Sequence, residues 1–400
     1  MRILFVDDVP EYFVSGSTNF YKRLGTSLQK KGHEVAVICP GRTFAYDEYE
    51  KGVFKVYGLP SVPVGFIQKR FRITLPFFIS HRIRKIISDF KPDVIHVQVH
   101  WGICEATAKI AKANNISIVA TNHFLPENLI NFLPIPRILK PALARAMWHQ
   151  LHRVFNTIDT ITTPTQTAAQ ALRESGFAKS VTPISCGVDL AIFNPQNNGE
   201  YLSEKYKLPP VPRILYVSRL DPEKSVDTLL RALPQVLAHT PAHLVLVGRG
   251  SMEQKLKQLA EELHITSHVT FTGFLPNEDL PNIYRTADCF VMPSGVELQS
   301  IATMEAMASG LPTLAADAMA LPELVHHNEN GLLFPLGDSA TLAREITRII
   351  TDKDLAHRMA QESLTIIANH AMVRTIEQFE LLYAKAQSSS QKTSSMKSNE

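Results

Sequence analysis

The chain has 400 residues, 45% hydrophobic and 20% charged, with a net charge of +3. That length exceeds one ordinary core and suits two domains of about 150–200 residues each, and the composition is that of a soluble globular protein. No apolar run approaches the roughly 18 residues of a membrane-crossing helix, and the isolated cysteines Cys39, Cys104, Cys186 and Cys289 form no Cys-x-x-Cys pair, which argues against a zinc site or disulfide framework and fits a reducing cytoplasm.

The opening "MRILFVDDVP" carries one basic residue and a five-residue apolar run before two aspartates. It is too short for a signal peptide and reads as a buried first strand. "EVAVIC", "DVIHVQV", "SIVAT", "TITTP" and "VTPIS" follow as strand candidates, with helical periodicity over Phe20–Lys31, Gly102–Ala113 and Thr165–Ser175 between them. This alternation predicts a parallel sheet covered by helices. The Pro, Asn and Gly of "NPQNNGEYLSEKYKLPPVP" interrupt it, which predicts a linker over 195–212. The alternation restarts with "RILYVSRL", "HLVLVG", "VTFTG", "CFVMP" and "LPTLAA". The expected organisation is a first domain over 1–194, a second over 213–370, and a helix over 371–386 packing back on the first. "QSSSQKTSSMKSNE" has no apolar periodicity, so a disordered tail is expected over 387–400.

Charge is unevenly spread. Residues 1–200 hold 23 Lys and Arg against 15 Asp and Glu, and residues 201–400 hold 18 against 23. No acid occurs from Lys51 to Ser88 or from Asn128 to Ile158, stretches that carry basic residues with Phe132, Trp148 and Phe155. An anionic partner for the first half is implied. "FRITLPFFISHRIRKII" can lie on an anionic membrane surface through Arg, Lys, Phe and Ile, the segments concerned being 66–87 and 134–155. An ordinary amphipathic helix with a solvated basic face is the other reading.

Motifs that follow strands carry the functional weight, because ligands of open α/β sheets bind beyond the carboxyl ends of the strands. "PSGVELQSIATMEAMASGLP" reads as strand end, loop and helix, with Ser300 or Gln299 starting the helix and Gly310 ending it. The helix start at Ser300 and Ile301 offers free N–H groups and a positive dipole end, a seat for phosphate. Glu297 in the loop and Glu305 on the helix then address hydroxyls on either side of that phosphate, as in a sugar nucleotide. A pair of solvated surface glutamates remains the alternative. Arg219 after a strand and Lys224 at a helix start suit a diphosphate. Gly248 and Gly250 in "LVGRG" let the backbone approach a base or ribose.

The ordered set "SRLDPEKSVDTLLRA", "LVGRGSMEQKL", "FTGFLPNEDLPNIYRTADCFVMPS", "ELQSIATMEAMASGLPTLAADAMALPELV" and "NGLLFP" resembles glycosyltransferase family 4, and "KKGHEVAVICP", "KPDVIHVQ", "VATNH" and "CGVDLAIFNP" extend the resemblance over nearly the whole chain. It implies the α/β GT-B fold, two facing Rossmann-like doubly wound domains with a cleft between them. It also implies a retaining hexosyltransferase that uses a UDP- or GDP-linked sugar as co-substrate and an acceptor hydroxyl on a lipid or glycan. No further cofactor and no obligatory metal are expected, nor any nucleic-acid partner. The expected place of action is the cytoplasm or the inner membrane face. By position, Arg219 and Lys224 match the pair on the donor diphosphate, Glu297 the contact to sugar hydroxyls, and Glu305 the ribose ligand. Gly16 matches the loop approaching the phosphates, and His123 a histidine beside the reacting sugar.

Three departures stand out. Leu298-Gln299-Ser300 replaces the usual Gly-Phe-Gly, which gives Gln299 a possible contact of its own. His96-Val97-Gln98 replaces His-x-His, and Gly16 stands alone where two glycines are common. A sugar-nucleotide 2-epimerase on the same fold and a non-catalytic nucleotide-sugar-binding protein are the rival functions. Asp352 and Asp354 read as helix-capping carboxylates rather than a metal motif.

Overall fold

The computed structural model describes residues 1–13, 15–51, 54–64, 71–75, 79–126, 130 and 135–397. The chain divides into two compact units, Met1–Ser185 with Thr375–Glu400, and Cys186–Arg374. Each is built on its own sheet.

The first unit contains β1 (Arg2–Val6), β2 (Glu34–Pro40), β3 (Asp47–Lys51), β4 (Phe54–Leu59), β5 (Ser61–Pro63), β6 (Arg72–Thr74), β7 (Val94–Val97), β8 (Ser117–Thr121), β9 (Thr160–Thr163) and β10 (Thr182–Pro183). Its helices are α1 (Gly16–Lys30), α2 (Ile79–Phe90), α3 (Gly102–Ala113), α4 (Lys140–Phe155) and α5 (Gln166–Glu174). The main sheet runs β10-β9-β8-β7-β1-β2-β4-β3, and β5 and β6 form a separate ribbon. β1 and β8 carry apolar stretches over 3–6 and 118–120 because helices cover a parallel sheet on both faces. Within the main sheet β3 departs from parallel pairing, running antiparallel to β4. Its sequence, DEYEK, places charge on the sheet edge, which discourages pairing with other chains.

The second unit contains α6 (Glu200–Lys205), β11 (Arg213–Val217), α7 (Val226–Leu237), β12 (His243–Val247), α8 (Glu253–Glu262), β13 (Val269–Gly273), α9 (Leu280–Ile283), β14 (Cys289–Met292), α10 (Ile301–Ala308), β15 (Thr313–Ala316), β16 (Gly331–Phe334), α11 (Ser339–Thr351) and α12 (Lys353–Ile367). Its sheet, β13-β12-β11-β14-β15-β16, is parallel throughout. Asp352 caps α12 by accepting from Leu355 N at 2.9 Å.

The boundary positions differ from those read off composition. Residues 195–212 lie inside the second unit, where Tyr201 OH and Lys205 Nζ both bond the carboxylate of Asp279, at 2.6 and 3.0 Å. Pro, Asn and Gly mark loops, and a loop is not by itself a domain boundary. The last helix, α13 (Met372–Lys397), also runs past residue 387. A helix already nucleated by packed residues extends at little cost, and Gln387 reaches Asp93 O at 3.3 Å.

From Thr375 onward α13 belongs to the first unit. Phe379 packs on Phe20 and His96, Tyr383 OH meets His96 Nδ1 at 2.7 Å, and Glu380 pairs with Lys31 and His33 at 2.6 and 2.9 Å.

Candidate active site

Strand order locates the crevice in each sheet. In the second unit the chain goes from β11 to β12 on one side, then returns to place β14 on the other. The switch point therefore lies beyond the carboxyl ends of β11 and β14, where open α/β sheets take their ligands. Arg219 and Lys224 follow β11, and Glu297, Gln299 and Ser300 follow β14.

These side chains are tightly connected. Arg219 donates to Asp221 and, at 2.7 Å, to Glu223 Oε1, and its carbonyl accepts Tyr216 OH at 2.7 Å. Lys224 Nζ donates to Glu297 Oε1 at 2.5 Å. Burial pushes the Glu297 carboxyl up, but Lys224, Ser294 and Arg219 together outweigh it and hold it below the usual glutamate range. Burial pushes the Glu223 carboxyl up despite Arg219. Ser300 caps α10, its Oγ accepting from Thr303 N at 3.3 Å, so Ile301 opens the helix beside the loop. Glu305, on the same helix, accepts from Tyr284 OH at 2.7 Å and is buried.

Three predicted site residues are placed against the protein's own backbone. A Cβ on Gly248 would lie 1.9 Å from Ser218 O, and one on Gly250 would lie 2.2 Å from Leu220 O. The backbone that approaches these glycines is thus the neighbouring loop after β11, tied by Leu220 N to Arg249 O at 3.0 Å and by Met252 N to Leu220 O at 2.8 Å. The amide oxygen of Gln299 accepts from Cys186 N at 2.7 Å rather than standing clear of the fold. Sequence reasoning missed Asp221, which accepts from Ser251 N and Oγ at 2.8 and 2.9 Å while also holding Arg219. Its signal was present in "RLDPEKS", an acid between two cations. Tyr284 gave no such signal.

The first unit has the equivalent crevice between β1 and β7. Gly16 opens α1, behind the cap Ser15, with open space where a Cβ would stand. His123 follows β8, its Nε2 lying 3.2 Å from Gln98 Oε1 and its ring 4.7 Å from that of Phe20. A carbonyl oxygen only accepts, so Nε2 carries the proton. Gln98, the departure from His-x-His, is therefore the residue that orients His123. Burial lowers the His123 imidazole to about 3, and so it is neutral. Asp8 accepts from Ile103 N and Cys104 N at 2.7 and 3.2 Å and caps α3 across the crevice. Asp7 is fully buried, and burial raises its carboxyl to about 7.

Among the described residues, no group of three or more His, Cys, Asp or Glu side chains is arranged to hold a metal ion, and no helix is long and apolar enough to cross a membrane. Of the two basic stretches, residues 66–70, 76–78 and 134 lie outside the described residues. α2 turns Ile79, Ile83, Ile86 and Ile87 into the core and exposes Arg82, Arg84 and Lys85. The isoleucines expected at a membrane surface are therefore spent on packing. Exposed apolar residues occur instead at Ile138 and Leu139, beside Arg137 and Lys140.

Comparison with known proteins gives two family matches: "Glycosyltransferase Family 4" over residues 14–192 and "Glycosyl transferases group 1" over residues 202–364. The chain is 28% identical over 360 residues to a sulfoquinovosyl transferase of Arabidopsis thaliana, covering 88% of this chain and 67% of that protein. It is 25% identical over 390 residues to the alpha-monoglucosyldiacylglycerol synthase of Streptococcus pneumoniae, covering 95% and 86%. Among solved structures, a sucrose-phosphate synthase from Thermosynechococcus elongatus superposes with a TM-score of 0.83 at 21% identity, over 97% of this chain and 100% of that one. The fold is GT-B.

Proposed function

We propose a specific reaction for this chain, which belongs to glycosyltransferase family 4: transfer of a hexose from a nucleoside-diphosphate sugar to an acceptor hydroxyl, with retention at the anomeric carbon. The observation that carries it is the gathering of Arg219, Lys224, Glu297 and the Ser300-capped helix at one switch point.

In this mechanism the bond from the anomeric carbon to the diphosphate breaks, and its electron pair leaves with the phosphate. The acceptor oxygen attacks from the same face, and a diphosphate oxygen takes its proton. Arg219, Lys224 and the first N–H groups of α10 stabilise the charge that develops on the leaving group, the kind of term that usually dominates catalysis. Glu297 accepts hydrogen bonds from sugar hydroxyls, and Glu305 from the ribose. His123, being neutral, serves hydroxyl recognition. The charge stabilisation comes from side chains and backbone, so the reaction is proposed to run without a metal.

The acceptor is proposed to be a lipid hydroxyl at the cytoplasmic membrane face. Similarity to the alpha-monoglucosyldiacylglycerol synthase over most of both chains supports this, as do the exposed Arg82, Arg84, Lys85 and Arg137. The test is a thermal-shift screen over UDP- and GDP-linked hexoses. The stabilising donor is then incubated with and without diacylglycerol-containing anionic vesicles, with EDTA present. Glycolipid formed only with vesicles supports the reading. Conversion of donor alone to a 2-epimer, or no stabilisation by any nucleotide sugar, sinks it.

A further inference from the structure

Several contacts hold the loop between β14 and α10, three of them at Glu297 and Gln299. Glu297 bonds Lys224 at 2.5 Å, the Glu297 carbonyl accepts Ala320 N at 3.2 Å, and Gln299 Oε1 accepts Cys186 N at 2.7 Å in buried surroundings. The third anchor stands out, because Cys186 is the first residue of the second unit. Two residues on, Val188 is bonded to the outgoing segment: Val188 N donates to His370 O at 2.9 Å, and Met372 N to Val188 O at 2.8 Å. Gln299 therefore ties the candidate sugar-binding loop to the segment by which the chain enters this unit.

We propose that Gln299 is a positioning residue whose amide oxygen, anchored on Cys186 N, sets the place of Glu297 and of the α10 N-terminus against the donor sugar. The proposal rests on the donor site put forward above. Its physical basis is an exchange of partners. When a diphosphate binds Lys224, the Lys224–Glu297 ion pair stops holding the loop, and the load passes to the remaining anchors. Of these, the Gln299 side chain lies next to the Ser300 cap. The position also favours a neutral acceptor, since a second charge there would sit two residues from the Glu297 carboxylate. The cost of that charge is offset by the adjacent positive helix end, so a carboxylate can still perform the task.

Two variants separate the possibilities. Gln299→Met keeps length and loses the oxygen, and Gln299→Glu keeps an oxygen for Cys186 N. For each, the donor KM and kcat, the inhibition constant of the free nucleoside diphosphate, and the thermal midpoint are measured. The expected result is a donor KM raised about tenfold or more in Gln299→Met, with nucleoside-diphosphate inhibition within about twofold of wild type, and Gln299→Glu within about threefold on both. An unchanged donor KM in Gln299→Met overturns the proposal. So does equal loss in Gln299→Glu, which would assign the effect to the amide N–H groups, and so does a parallel loss of nucleoside-diphosphate affinity, which would mark a general collapse of the loop. Wild-type protein that binds no nucleotide sugar would instead remove the transferase reading beneath it.

Discussion

Lys224 Nζ and Glu297 Oε1 lie 2.5 Å apart, and both side chains are only about one-tenth exposed, at 12% and 11%. A cation assigned to phosphate and a carboxylate assigned to sugar thus neutralise each other in the ligand-free protein. Breaking one partner of such a buried pair costs roughly 3–5 kcal/mol at full burial, because the survivor is left uncompensated. Lys224→Met and Glu297→Gln are each expected to lower the thermal midpoint by several degrees and kcat by about 10²–10³-fold. A Lys224→Met/Glu297→Leu double variant should regain stability without regaining activity. Because the Glu297 carboxyl is held below its ordinary 4.5, its stabilising contribution is present above that pH and is lost as pH falls through the lowered value. Thermal unfolding from pH 3 to 7 beside steady-state kinetics checks both statements. Single variants with wild-type midpoints would show the pair to be idle.

His123 gives a prediction about what a pH profile lacks. Its imidazole is lowered to about 3 by burial, so it does not change charge between pH 5 and 8. No kcat limb near the ordinary histidine value of 6.5 should belong to it. His123→Asn is expected to reduce kcat/KM while leaving the shape of the profile unchanged. A limb near 6.5 that vanishes in that variant would contradict the neutral assignment.

Much of this arrangement was visible in the primary structure, for identifiable reasons. β1 and β8 match their predicted spans because strands covered on both faces are largely apolar runs, and β13, the half-buried edge strand VTFTG, because its apolar residues alternate with threonine. Local chemistry narrowed the helix cap to Ser300 or Gln299, and the structure places it at Ser300. β3 was missed because DEYEK carries the charge of an edge and none of the apolar signal of a core strand. Contacts between distant positions were equally hidden. Nothing in "LVGRG" says that Gly248 and Gly250 face the backbone of Ser218 and Leu220, and nothing near Tyr284 announces its bond to Glu305. Such facts depend on how strands are ordered in the sheet, which no local pattern states.

Ser225 offers a stabilising substitution. It links the turn at Pro222–Lys224 to α7 with φ of +50°, in the left-handed region that costs a residue with a Cβ about 1–2 kcal/mol. Glycine meets no such cost, although it loses more entropy on folding. Ser225→Gly is therefore expected to raise the thermal midpoint by a degree or more, with kcat within about twofold of wild type. A lowered midpoint would mean that the serine hydroxyl contributes more than the backbone geometry costs.

Asp7 should oppose stability at neutral pH. Its Oδ1 accepts Val9 N at 3.1 Å, and burial, outweighing the hydrogen bonds from Ser17 and Val9, raises the carboxyl from 3.8 to about 7. The unfolded chain therefore releases this proton at lower pH than the folded one. Stability from this group is full below 3.8 and falls as pH rises toward 7, by about 1.4 kcal/mol for each unit between the two values. Asp7→Asn carries no charge to bury. Its midpoint minus that of wild type should grow from pH 5 to pH 8, and a constant difference would show that Asp7 does not titrate in this range.

Tyr383 and His96 give the last prediction. His96 is fully buried in β7, with Nδ1 2.7 Å from Tyr383 OH and Nε2 2.7 Å from Thr121 Oγ1, itself 2.6 Å from Thr162 Oγ1. Burial, and secondarily His123, hold the imidazole well below its ordinary value, so it is neutral and needs both partners. Tyr383→Phe keeps the ring that packs against Phe379 and removes the hydroxyl, leaving a buried ring nitrogen unsatisfied at a cost of about 1–3 kcal/mol. Because Tyr383 lies on α13 and His96 in the sheet, the loss should also loosen the end of that helix. Hydrogen exchange over 379–388 is expected to quicken along with a lower midpoint. A lower midpoint with unchanged exchange would confine the bond's role to satisfying His96, and no change in either would show that the contact contributes nothing.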